Sequence, residues 1–124
     1  MKKKCKIRIK EIEIIFDLLT TQTAELIWNK LPLKTRLNTW GKEIYFSCDI
    51  DANLENNAKS IMKLGEIAFW PEGKVIAIGF GPTPISIEGE IRLAADCNVW
   101  ATTDDSMSKL DIIQNGEIVE LFKL

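Results

Sequence analysis

The 124-residue chain contains no histidine. That absence removes the imidazole base that activates serine and cysteine nucleophiles, and the commonest nitrogen ligand of zinc, copper and iron. Any catalysis has to run on carboxylates, lysine, arginine, tyrosine or amides, which shifts the expectation from enzyme towards binding module. Cysteine is scarce too: Cys5, Cys48 and Cys97 are odd in number, widely spaced and form no CxxC pair. Buried reduced thiols are therefore expected rather than a disulfide framework, and no metal or cofactor is expected. No apolar run approaches the roughly 20 residues of a membrane helix. The opening MKKKCKIRIK imitates a signal peptide, but Arg8, Lys10, Glu11 and Glu13 interrupt any apolar stretch and no small-residue cleavage site follows. A cytoplasmic protein with no membrane partner is the expectation.

What remains is enough for one folded domain over residues 1–124, since 46% of residues are hydrophobic and 27% charged. Six of the sixteen basic residues fall in the first ten positions, leaving ten against eighteen acidic residues elsewhere. An acidic body argues against nucleic acid as a partner, because phosphate binding needs a basic surface. The basic start reads as the solvated face of an edge strand, where lysines discourage edge-to-edge pairing.

Periodicity gives mostly strands. Cys5, Ile7 and Ile9 alternate with Lys6 and Arg8, and Ile12, Ile14 and Phe16 resume the pattern after a slip at Lys10-Glu11, which signals a tight hairpin or a bulge. Thr20 or Thr21 can cap a helix whose apolar stripe is Ala24, Ile27, Trp28 and Leu31, ended by Pro32. Strands are expected over Leu33–Trp40 and Glu43–Ser47, and a hairpin over Ile67–Trp70 and Val75–Phe80 with Pro71 and Gly73 in its turn. Pro82-Thr83-Pro84 then stops pairing, because neither proline donates to a ladder. Residues 49–64 read as loop with a helical turn at Ala58–Lys63, and Ile85–Asp96 as mostly loop. Asn98–Thr102 is a strand, Asp105–Leu110 a short helix, and Asn115-Gly116 turns into a last strand, Glu117–Leu124. Many short strands without a βαβ rhythm predict a mainly β barrel.

Short motifs mostly dissolve on inspection. Asp49-Ile50-Asp51 opens like a calcium loop, but Leu54 and Ser60 occupy the positions that need glycine and glutamate. Ser60-Ile61-Met62-Lys63 matches S-x-x-K without its companion motifs. Gly79-Phe80-Gly81 has no following helix to receive a phosphate. The cluster Asn38, Thr39, Trp40, Glu43 and Tyr45 carries more chemistry. On strands flanking Gly41-Lys42 some of these side chains share a face, with rings for contact area and Asn and Glu to orient a ligand.

Leu31-Pro32, NTWGKEIYF (Asn38 to Phe46), GEIAFWPEGK followed by FGPTP, Asn98-Val99 and the I-x-x-G-E-x-V pattern from Ile113 to Val119 together resemble the small stand-alone prokaryotic cyclophilin-like proteins of uncharacterised function. The resemblance covers nearly the whole chain. It implies a closed eight-stranded cyclophilin-like barrel with one or two capping helices. Glu72, Gly79 and Ala101 depart from that family's usual residues, and Gly79 is expected either to remove pocket wall or to let backbone approach closely. True cyclophilins isomerise prolyl bonds with an arginine, a Q-x-F segment and a histidine-containing pocket. Arg36 is the nearest arginine here, and the other elements are missing.

The leading expectation is a non-enzymatic binding module. It would take an extended peptide or small metabolite in a cleft lined by Asn38, Trp40, Glu43, Tyr45, Trp70, Phe80, Thr83 and Asn98. The alternatives are a weak prolyl isomerase using Arg36, another enzyme with Glu43 as acid or base, and an edge-strand homodimer without a ligand. A catalytic Glu43 would need a raised pKa, hence an apolar pocket beside the tryptophans.

Overall fold

The first two strands, β1 (Lys4–Ile9) and β2 (Ile12–Leu18), pair in register Ile9 to Ile12 across Lys10-Glu11. The phase slip is thus a tight hairpin, and Lys10 takes the left-handed backbone (φ 54°) that an asparagine or glycine would more usually supply. The computed structural model describes residues 2–124. Helix α1 (Gln22–Lys30) follows, with Thr21 as its cap: the Thr21 hydroxyl accepts from the Ala24 N–H at 3.1 Å. Ala24 and Ile27 are buried against the barrel interior, while Trp28 is half-buried beneath the ammonium groups of Lys3 and Lys123.

The remaining strands are β3 (Leu33–Arg36), β4 (Asn38–Thr39), β5 (Glu43–Ser47), β6 (Lys59–Met62), β7 (Glu66–Trp70), β8 (Val75–Gly79), β9 (Ile91–Thr102) and β10 (Ile118–Lys123). A 3-10 helix spans Met107–Ile112. All pairings are antiparallel, and the path runs β3-β10-β1-β2-β9-β7-β8-β5-β4, with β6 attached to β9. The two ends of this path, β3 and β4, are one stretch of chain interrupted only at the buried Leu37. Counted as one strand, they reduce the nine on the path to eight and close the sheet into the expected barrel.

Closure overturns the reading of the basic start as an edge strand. β1 is paired on both sides, to β2 and β10. Its charges point outwards and are matched locally: Lys4 bonds Asp17 at 2.7 Å, and Lys6 and Arg8 share Glu13 at 3.2 and 2.9 Å.

Two segments read as non-strand are strands. Residues 59–62 form β6 instead of a helical turn, because pairing with β9 and burial of Met62 outweigh local propensity. With Ser60 on a strand that ends at Met62, Ser60 and Lys63 lose the shared helical face that S-x-x-K chemistry needs. Residues 91–96 belong to β9, whose Ile91 and Leu93 are buried. Between the pairs Ile61–Arg92 and Lys59–Cys97, residues 93–96 stand opposite Ser60 alone, so β9 bulges here. The acidic pair that imitates a calcium loop is used structurally, with Asp49 and Asp51 at 3.4 and 2.9 Å from the Lys74 ammonium.

Candidate functional site

Period two splits β5, β7 and β8 into two faces. Ile44, Phe46, Ile67, Phe69, Ile76 and Ile78 turn into the barrel with Trp100 and Phe16. The opposite face carries Tyr45, Ala68, Trp70 and Ala77, which pack with Leu93, Cys97 and Val99 of β9 in a second apolar cluster. Register sets the floor: Tyr45 stands opposite Ala77, Ala77 opposite Ala68, and Ala68 opposite Val99. Two alanines in the middle of that row leave a depression between larger neighbours.

The depression is a pocket of about 240 Å³ lined by Trp40, Glu43, Tyr45, Trp70, Val75 and Ala77, with Leu93, Ala94, Ala95 and Cys97 of the bulged strand as the far wall. Trp40 is held at the rim by a tight turn, its N–H donating to the Glu43 carbonyl at 2.9 Å. Trp70 lies over the β7–β8 turn, and Gly73 is required beneath it because a Cβ there would collide with the indole ring. The left-handed residue of that turn is Lys74 (φ 51°), not Gly73.

Glu43 is the polar exception in this lining. Its side chain belongs to a residue only 6% exposed, and its buried Oε1 has no hydrogen-bond partner among the described residues. Burial pushes its carboxyl up from 4.5 to about 7, as removal of water disfavours the ionised form. Cys97 is pushed up to about 12, first by burial, then by the charges of Glu43 and Asp96, so its thiol stays protonated and unreactive. Cys5 and Cys48 are likewise buried and unbridged. No lysine or arginine lines the pocket. Among the described residues no group of three or more cysteine, aspartate and glutamate side chains could hold a metal ion.

Of the eight residues anticipated for the cleft, Trp40, Glu43, Tyr45 and Trp70 come together here, and the other four do not. Asn38 is opposite Tyr45 on β4, exposed and outside the lining. Phe80 packs against the barrel interior. Thr83 is buried, its hydroxyl bonded to the Arg92 carbonyl, so it fastens the 81–90 loop to β9. Asn98 is wholly buried: its Nδ2 donates to Thr23 Oγ1 at 2.9 Å and the Asn53 carbonyl at 2.8 Å, and its Oδ1 accepts from the Glu55 N–H at 2.8 Å. Every polar atom of that amide is engaged in joining α1 to the 53–55 loop. Arg36 is exposed in a different groove with Lys34, Arg8 and Lys10, where it donates to the Gly116 carbonyl at 2.9 Å. Gly79 is a close-approach position, because a Cβ there would overlap the Ile91 side chain. Val75, Ala77, Leu93, Ala94, Ala95 and Cys97 line the pocket without having been anticipated from the sequence. The alternation of Val75 and Ala77 with the inward Ile76 and Ile78 was the available signal.

A family model described as cyclophilin-like matches residues 3–121. The chain belongs to the cyclophilin-like family. Among solved structures, the cyclophilin-like barrel matches the solution structure of a hypothetical protein from Archaeoglobus fulgidus. The two are 34% identical, with 99% of this chain and 95% of that chain covered and a TM-score of 0.84. None of the curated proteins matches this cyclophilin-like chain. No helix among the described residues is long and apolar enough to cross a membrane.

Proposed function

We propose that this cyclophilin-like protein is a binding module whose pocket over β5, β7 and β8 takes a compact, largely apolar small molecule. The observation that carries the reading is the convergence of Trp40, Tyr45 and Trp70 around Glu43, whose buried Oε1 lacks a partner. A buried polar atom without a partner is costly unless something satisfies it, and a ligand that donates a hydrogen bond or sets a positive charge beside it would do so. The volume of about 240 Å³ suits a small molecule or one side chain of an extended peptide rather than a bulky cofactor. Arg36, which an isomerase reading would use, lies outside this lining.

A fragment screen read by NMR and tryptophan fluorescence tests the proposal. Binders should perturb Trp40 and Trp70, Trp70→Ala should abolish their binding, and Arg36→Ala should leave it unchanged. A screen in which every binder maps elsewhere, or in which Trp70→Ala binds as the unmodified protein does, would sink the pocket as a binding site.

A second reading is favoured by the shift of Glu43 to about 7. A carboxyl poised near neutral pH can hold or release a proton and so serve as general acid or base. Under that reading Glu43→Gln retains ligand binding but loses turnover of any ligand that reacts.

A further inference from the structure

We propose that the pocket is an ammonium site, taking the alkylated head of an organic cation with Glu43 as its counter-charge and the rings of Trp40, Tyr45 and Trp70 as its walls. The proposal rests on the pocket being a binding site and names the class of ligand.

Three properties of the lining select this class. Aromatic faces carry the negative lobe of a quadrupole, and three rings, two of them indoles, line one small cavity. The buried carboxyl oxygen of Glu43 is unpartnered, and no cation of the chain lines the pocket to neutralise it. Nearby basic side chains are already matched: Lys42 with Asp111 at 3.5 Å, Lys74 with Asp51 at 2.9 Å, and Arg92 with Glu90 at 2.8 Å. Apart from the weakly hydrogen-bonding Cys97 thiol, the rest of the lining is Val75, Ala77, Leu93, Ala94 and Ala95, whose side chains offer no hydrogen-bonding group. A primary ammonium would leave its N–H donors unmet against such walls. A fully alkylated nitrogen has none to satisfy, and its methyl groups fill an apolar cavity. An anion would meet the Glu43 carboxylate with the wrong sign.

The other titratable side chains in the lining are Cys97 on β9 and Tyr45 on β5; β7 and β8 contribute Trp70, Val75 and Ala77, which do not titrate. Binding of a cation therefore draws on ionisation of Glu43, whose carboxyl sits at about 7 in the free protein. Affinity should rise with pH through that value as a proton is released.

The test compares choline with 3,3-dimethylbutan-1-ol, its neutral carbon isostere, by NMR and tryptophan fluorescence. At about pH 8 choline should bind about ten-fold more tightly than the alcohol, and the preference should shrink towards about pH 5. Glu43→Gln, nearly isosteric and uncharged, should lose most of the preference and all of its pH dependence, keeping only what the rings supply, and Trp70→Ala should bind neither. Equal affinity of the unmodified protein for the two probes overturns the ammonium site while leaving an apolar binding pocket intact. Failure of both probes also overturns it; if the whole fragment set is silent at Trp40 and Trp70 as well, the binding-module reading falls with it.

Discussion

Strands β5, β7 and β8 each serve two apolar environments, and the contrast between their faces separates what holds the barrel from what the barrel offers. Inward, Phe46, Phe69, Ile44, Ile67, Ile76 and Ile78 are sealed from water with Trp100, whose indole N–H is bonded to the Ala68 carbonyl at 3.2 Å. Outward, the same strands carry two alanines, a half-buried tyrosine and tryptophan, and a carboxyl without a partner. The interior is large side chains filling space completely, as close packing requires. The exterior is large side chains arranged around small ones, and a depression results. Neighbouring residues on one strand therefore have different physical roles, which substitution should separate.

The largest effect is expected at Phe69, which faces inward and is fully buried. Phe69→Ala should lower unfolding free energy by roughly 3–5 kcal/mol. Trp70→Ala, one residue along and half solvated, should cost about half of that or less. Urea denaturation of the pair measures the difference, and equal losses would erase the distinction between the faces.

Next comes Glu43. Its carboxyl is pushed up from 4.5 to about 7, so the folded protein holds that proton more tightly than the unfolded chain. The sign follows: stability is fully present below 4.5 and is lost as pH rises through about 7, by on the order of 3 kcal/mol. Glu43→Gln should remove this loss and unfold at higher denaturant than the unmodified protein at alkaline pH. The carboxyls of Glu13, Asp17, Glu90 and Asp105, each held low chiefly by a basic partner's hydrogen bond, are common to both proteins and cancel in the difference. Parallel stability curves from pH 4 to 9 would show that Glu43 is not desolvated by its pocket.

The third substitution sharpens the comparison from outside the pocket. Asn98→Ala leaves the Glu55 N–H and the Asn53 carbonyl without their partner and should cost about 2 kcal/mol. Binding at the pocket should be unchanged, because Asn98 does not line it. A selective loss of binding with stability retained would return Asn98 to the site.

These cases also show which parts of the molecule were legible in sequence. Alternation exposed β1 and β2 because each has one side-chain set in the core, the Pro71 and Gly73 turn between short apolar runs exposed β7 and β8, and the α1 stripe showed itself at helical spacing. The same alternation brought Trp40, Glu43 and Tyr45 into one neighbourhood across the local 41–42 turn, while Trp70 joins them through the long-range pairing of β5 with β8. Asn98 was misread because its partners are far away in sequence, Thr23 by 75 residues and Asn53 by 45. Nothing local distinguishes a fully engaged buried amide from one awaiting a ligand. Phe80 and Thr83 sit at a rigid corner whose direction is set by docking on the 41–42 turn, where the Lys42 N–H donates to the Pro82 carbonyl at 2.9 Å. β6 and residues 91–96 are strand by virtue of each other, a pairing no local pattern announces.

That last pairing has a consequence for how such a barrel can change. Residues 93–96 have only Ser60 opposite them, yet they form one wall of the pocket. Elsewhere in the sheet, inserting a residue would slip the register and turn a core face outwards. Between Leu93 and Asp96 an added or deleted residue is absorbed by the bulge, and Asn98 onwards keeps its alignment with β7. The pocket wall can therefore be lengthened, shortened or re-lettered while the scaffold stays in step.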